Sequence, residues 1–547
     1  MTNTASGPPD QRALQWLHIN DFSPGIYDNS ALVNAVSSSP LGIFPAPPGA
    51  ADVANTYGCI PSVNGGIGPG PAIVAGYPLS LNGVGIAGIT APGADIMCLV
   101  NSFQTTADEF IIGLNFNFGG GHQTTEFWSW AASVGTNPIQ SQTYTYVGDH
   151  NICCYPFSTT IDTGSGPQPV VCLPVGAIDG PNSNLLVYPS VSAPTSFGVD
   201  TIATTASADG TAFGHQGRIV VNARLSYGWP ITPIFPNDVF NFTDPPQSET
   251  WPVQDETFGP EAPFGYGAVN SVSAGELFCV KARGGAVIIQ GDLNNPTVTN
   301  LPAVQSTGSI YGRSDSDNNG LHYCVQNDGA WVWNGGNASV KISNQIDDNF
   351  FTPLVSIPSR YYSYYIQRWG TWMMFSNNWI FESQFKSWWR LEQIGGVQSF
   401  FWYVPSYNPR FMAAALGTVE TSDTDFLWAY DRGTPRNAFS WQSLPMKIPA
   451  EDRTSTAREV VIRASNPYGD AAPVITPTLI DDKGNTSTLD TWAMTAGTGT
   501  VQEVRLPCSL RETTTVAIAL ACSGTLYAPM VHNISIGFRT RQHVTQI

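Results

Sequence analysis

VQNDGAWVWNGG, residues 325–336, decides the fold. Trp331 and Trp333 lie two positions apart, so on a strand both rings share one face, whereas on a helix they would diverge by roughly 200°. Asn-Asp-Gly before the pair tolerates turn geometry, Gly335-Gly336 after it ends the run, and LHYCVQ upstream has strand composition. The stretch therefore reads as a hairpin with a heavy aromatic face.

Similar units recur along the chain. ELFCVKARGGAVIIQGD (276–292) is strand, glycine turn, strand. SYYIQRWGTWMMFSNNWIFESQFKSWWRL (363–391) repeats the scheme with a further hairpin, and FLWAYDRGTPRNAFSWQSL (426–444) repeats its second half. Aligning one strand position per unit at Phe242, Ile289, Trp333, Phe381 and Tyr430 gives intervals of 47, 44, 48 and 49 residues. Tyr146 and Tyr188 extend the series upstream at the less regular intervals of 42 and 54. Several short strands in a unit of roughly 40–50 residues are the pattern of a β-propeller blade. An all-β chain is expected, with a propeller of about seven blades, six to eight being compatible with the period. Phe242, Ile289, Trp331, Trp333, Phe381, Trp388 and Tyr430 are expected to form the blade core, with the Trp331–Trp333 face filling the gap to a neighbouring blade.

From about Thr454 the pattern changes to alternating strands without aromatic blades: REVVIRAS, VITPTLID, TVQEVRLP, TTVAIALA and NISIGFRT. These read as a small β-sandwich. Residues 29–95 are rich in Gly, Pro, Ala and Ser with almost no charge, and cannot build a core alone. The expected division is an extended N-terminal strand and Gly/Pro-rich arm over 1–95, a propeller over 96–450 and a sandwich-like domain over 451–547. The arm is expected to wrap the propeller or lie on an adjacent subunit, which would cover Ile43, Phe44, Ile60, Ile67 and Ile86.

Composition excludes some functions. The 547 residues hold 53 Gly and 42 Pro, and only 12% are charged, about half the usual fraction. With a net charge of −18 the chain repels phosphate, which argues against nonspecific nucleic-acid binding. MTNTASGPPDQRALQW has neither a basic start nor an apolar stretch, so no cleaved leader is expected, and no membrane-spanning segment. Nine cysteines without a regular framework read mostly as small buried hydrophobes.

The local motifs each have a plainer explanation. GVGIAG (83–88) fits a dinucleotide fingerprint, yet Pro92-Gly93 stops any helix that would follow. DSDNNG (315–320) opens like a calcium loop, but its twelfth position is Gln326, which leaves Asp315 and Asp317 as a polar turn. His150, Cys153, Cys154 and Cys172 lack zinc-site spacing. His215 beside Arg218, and Glu126 beside His122, read more simply as solvated or core residues. No catalytic, cofactor-binding or metal-ligating residue is expected, and the chain is expected not to be an enzyme.

Four passages in order resemble the β-propeller tail proteins of tailed bacteriophages, the nozzle, tail-accessory and minor tail proteins. They are WLHINDFSPGIYDNSALV (16–33), FGHQGRIVVNARLS with PNDVFNFTDPPQSETW (213–251), the two central hairpin units at 276–347, and HNISIGFRTRQHV (532–544). Asn237-Asp238 stands where that family often has an Asn-Arg pair. The resemblance implies a structural virion protein, made in the host cytoplasm and located in the tail. It implies a homo-oligomer, a hexameric ring, that contacts an adaptor or head–tail connector and other tail proteins. Genomic DNA would pass through during ejection without sequence-specific binding. The alternative is a propeller glycosidase or lyase, or a glycan-binding module, acting on host surface polysaccharide.

Overall fold

The computed structural model describes residues 14–27, 49–74, 339–346, 379–391, 427–448, 455–495 and 499–540, and elsewhere the strands named below. The described part is all-β and contains no helix.

The 325–336 hairpin forms as its turn residues dictate. Leu321–Gln326 pairs antiparallel with Gly329–Trp333, closing between Gln326 and Gly329. The pair sits inside a four-stranded antiparallel sheet with Asp315–Asn318 and Ser339–Lys341 at its margins. Asp315 and Asp317 thus lie on a strand, opposite Cys324 and His322, and not on a loop; the turn falls after Asn318.

This sheet is the fifth of seven met in chain order. The first is Ala94–Asn101, Glu109–Asn117, His122–Ala131 and Ile139–Val147, with the short Thr418–Val419 strand added beside Ala94–Asn101, and the second is built on Pro167–Ala177. The third starts at Thr211–His215, the fourth at Ala268–Ala274 and the sixth at Ser363–Tyr365, each with four strands. The seventh takes Phe400–Pro405, Phe411–Leu416 and Leu427–Pro435, and its fourth strand is Pro71–Val74 from far upstream. Leading strands lie side by side: Thr211–His215 against Ala268–Ala274, then Asp315–Asn318, then Ser363–Tyr365. Phe400–Pro405 of the seventh sheet touches Ala94–Asn101 of the first.

Aromatic rings fill the gap between the fifth and sixth sheets, and the hairpin contributes Tyr323 to it. Tyr323 is buried and stands 6.3 Å, centroid to centroid, from Phe381 of the sixth sheet. Phe381 lies 5.0 Å from Trp388, whose indole N–H donates to the Ile342 carbonyl at 2.6 Å. Trp331 is only half-buried. Register sets its face: Trp331 pairs with Cys324 while Tyr323 pairs with Val332, so Trp331 takes the face opposite Tyr323. Phe381, Trp388 and Tyr430 are fully packed. Phe242 and Ile289 are placed on Val239–Phe242 and Gly285–Gln290, and their side chains, like that of Trp333, lie outside the described residues.

Two six-stranded sheets follow. One runs Cys59–Pro61, Ile67–Pro69, Met530–Thr540, Ser455–Ser465 and Gln502–Thr513, with Gln15–Ile19 also paired to Met530–Thr540. The other runs Ala438–Gln442, Thr515–Ser523, Val474–Asp481 and Thr486–Thr488, with two short strands added. Alternate apolar residues are buried, Val460, Ile462, Ile475, Leu479, Ile518, Ile534, Ile536 and Phe538 all at 0% exposure. Cys59 and Cys522 are buried free thiols in this region, and Cys508 is half-buried.

Sheet membership departs from the expected boundaries at 95 and 450. Residues 15–19 and 59–69 belong to a C-terminal sheet, and Ala438–Gln442, read as part of a blade, crosses into the other one. The arm is covered by its own chain where it is described. Ile67 is buried, Phe22 packs edge-on to Trp441 at 4.9 Å, and Ile60 is half-buried. Gly25, at φ 79°, lies so close to the Trp388 carbonyl that a Cβ would meet it at 2.7 Å. Ile43, Phe44 and Ile86 lie outside the described residues, as does GVGIAG.

Candidate functional site

The Gln15–Ile19 strand builds an unusual outer face on the first C-terminal sheet. Its register sets Leu17 beside Ile536 and Val460, and Ile19 beside Ile534 and Ile462, all pointing to the core. The intervening residues must face outward. They form three cross-strand rows: Trp16, Gly537, Glu459 and Pro507; then His18, Ser535, Val461 and Arg505; then Asn533, Arg463 and Glu503. Asn20, just past the strand, joins the third row. A groove of about 310 Å³ runs across this face, lined by Trp16, His18, Asn20, Val461, Arg463, Glu503, Arg505, Asn533 and Ser535.

Each wall has a distinct chemistry. Trp16 and His18 present near-parallel rings 6.4 Å apart at 17°. The Trp16 indole lies across Gly537, where a Cβ would meet its six-membered ring and the Leu14 side chain at 3.1 Å, so a larger residue would push the ring outward by a few tenths of an ångström. Val461 is buried and forms an apolar floor. Opposite, Arg463 Nε donates to Glu503 Oε2 at 2.8 Å, and Arg505 spans Glu503 at 3.3 Å and Glu459 at 3.8 Å. The Arg463 and Arg505 side chains remain 58% and 62% exposed.

The polar end is ordered by a proton chain. Asn533 Nδ2 donates to the Ile19 carbonyl at 3.4 Å and to Asn20 Oδ1, so its own Oδ1 is an acceptor. Ser535 donates to that Oδ1 at 3.1 Å. Its hydroxyl proton is then spent, so His18 Nδ1, 2.8 Å from Ser535 Oγ, must be the protonated nitrogen. In the neutral ring Nε2 is left as an acceptor on an exposed side chain.

The arrangement suits binding. Arg463, through its hydrogen bond, holds the Glu503 carboxyl below its ordinary range, so Glu503 stays ionised. Both carboxylates of the rim, Glu459 and Glu503, are tied to Arg505.

None of the residues expected to form the blade core lies in this groove. Trp16 and His18 enter the sequence reading in a family resemblance only; the signal available was the i, i+2 spacing of Trp16, His18 and Asn20 against that of Glu459, Val461 and Arg463. The pairs His215/Arg218 and Glu126/His122 fall on other sheets, the first closing a tight hairpin and the second along a single strand. His150 and Cys172 lie on neighbouring strands of the second sheet, but His150 pairs with Ala177 while Cys172 pairs with Phe157.

No protein-family model matches the chain, and no curated protein matches it. Among solved structures it is weakly similar to β-propeller-like proteins. AztD from Citrobacter koseri is 10% identical at a TM-score of 0.31, over 76% of this chain and 90% of that one. A fructofuranosidase from Schwanniomyces occidentalis is 7% identical at 0.27, over 86% and 100%. The enzymatically active domain of a bacteriophage CBA120 tailspike is 13% identical at 0.15, over 23% and 15%. Similarity at this level carries no residue-to-residue correspondence. The expectation of a non-enzymatic protein is corrected here: the weakly similar solved structures also include an exo-β-1,3-galactanase, two further fructofuranosidase structures and a glycoside hydrolase.

Proposed function

We propose that this chain is a bacteriophage tail protein that engages surface polysaccharide of the host. The observation that carries the reading is the groove on the first C-terminal sheet. It combines a ring platform, an apolar floor and a rim of fixed donors and acceptors, the composition of a small-ligand site of about 300 Å³ or more. The seven sheets are read as a seven-bladed propeller. Contacts between successive leading strands support this, as does the Pro71–Val74 strand that completes the last blade. The two six-stranded sheets are read as a β-sandwich that carries the groove.

The place in the virion tail rests on the four ordered passages that resemble tail proteins, and the acidic surface suits a protein that DNA passes without adhering. Assembly from copies made in the host cytoplasm, as a ring against a connector, belongs to the same reading. Mass in solution tests the ring.

Co-sedimentation of the purified protein with purified surface polysaccharide of susceptible bacteria tests the function. Saturable binding that W16A weakens is expected; absence of binding to any such polysaccharide overturns the reading. Release of reducing sugar in the same mixture would add hydrolysis to binding.

A further inference from the structure

Resting on the glycan reading, we infer that the groove takes a neutral pyranose with vicinal hydroxyls, and discriminates against acidic sugars. Charge decides the class. Arg463 and Arg505 face Glu459 and Glu503, so the rim is locally balanced, and no guanidinium is left without a carboxylate for a uronate to pair with. Beyond the groove the whole chain carries −18, which repels an anionic polymer on approach. A neutral sugar meets neither penalty.

Shape and hydrogen bonding agree with this ligand. A pyranose has one face of C–H groups, whose weakly positive hydrogens suit the negative face of the Trp16 indole and the Val461 floor. Its edge carries hydroxyls that both donate and accept. Arg463 uses Nε on Glu503, which leaves its two Nη groups on an exposed side chain to donate. His18 Nε2 accepts across the groove. Adjacent hydroxyls on one ring edge can therefore satisfy a donor and an acceptor together, and a wrong epimer would leave one unpaired. Gly537 is a positioning residue in this scheme, because it sets the height of the Trp16 ring.

The test uses the full chain and isothermal titration with neutral hexose oligosaccharides, against oligogalacturonate of equal length. Binding of a neutral oligosaccharide is expected, with affinity lowered about tenfold or more in Trp16→Ala, the size of one lost ring-face contact. Arg463→Gln, at an exposed position that leaves the core untouched, is expected to weaken binding with an unchanged melting temperature. Tighter binding of oligogalacturonate overturns the neutral-ligand assignment while leaving the glycan reading standing. Neutral binding that neither variant weakens moves the site off this face and overturns the inference alone. No binding of any saccharide sinks both.

Discussion

At the scale of single residues, packing and polar satisfaction decide which side chains matter. Trp388 is buried, touches Phe381 and Trp379, and spends its N–H on Ile342, so Trp388→Ala should cost about 3–5 kcal/mol. Trp331→Ala, at a half-buried ring, should cost clearly less, and equal losses in urea titrations would refute the ranking. Asp470 is buried, and burial alone would raise its carboxyl; the backbone N–H groups of Ala472, Leu526, Tyr527 and Thr525 outweigh that and bring it down to about 2. Its pKa lies below the unfolded value of 3.8, so its stabilisation is complete above that value and is lost as pH falls towards 2. Asp470→Asn should destabilise by about 1–3 kcal/mol at neutral pH, since an amide turns donors towards donors. The variant should also melt with a flatter pH dependence in that acid window; an identical profile would show that Asp470 is not the titrating group. Lys386, at φ 54°, adopts a left-handed conformation in the turn before Ser387–Arg390. Lys386→Gly should raise stability by about 1 kcal/mol.

At the scale of elements, strands with strong alternation were legible and their partners were not. The hairpin at 321–333 follows from its turn residues and the spacing of its rings, and each of the five C-terminal stretches read as a strand is one. Which aromatic face meets the next sheet depends on Tyr323, one residue in a pattern that Trp331 and Trp333 dominate by size. The groove was invisible for the same physical reason. Trp16 and Arg463 are more than 400 positions apart, and only the pairing of both strands with Met530–Thr540 brings them together. The aromatic run over 426–444 likewise hides a change of sheet at Arg436-Asn437, pinned by bonds from Arg436 N to Gly70 O and from Gly524 N to Asn437 O. Removing residues 1–20 should expose the outer edge of Met530–Thr540, which carries Ile534, Ile536 and Phe538. An open apolar edge recruits other strands, so light scattering should detect association and the urea midpoint should fall. A monodisperse truncated chain with an unchanged midpoint would show that the strand is dispensable.

At the scale of the whole molecule, one N-terminal segment joins units that the sequence pattern separates. Residues 59–69 form a hairpin in a C-terminal sheet, and Pro71–Val74 continues directly into the seventh sheet of the other part. Gly70 alone links the two strands, and its N–H donates to Gly58 O at 2.8 Å, so little slack separates the two anchors. Strain or unfolding on one side is therefore expected to pass to the other through the single linking residue, Gly70. Low charge and high glycine content over 29–95 do not say what covers the segment; for residues 49–74 the chain's own sheets do so. A chain beginning at residue 76 should lose the outer strand of the seventh sheet and the hairpin of the C-terminal sheet together. Calorimetry of the full chain is expected to give coupled unfolding of both parts, and the shortened chain an earlier, split transition. A synthetic peptide of residues 49–75, added in trans, should raise both transitions by adding a strand at each edge. If the shortened chain melts like the full one and ignores the peptide, the segment does not fasten the two parts.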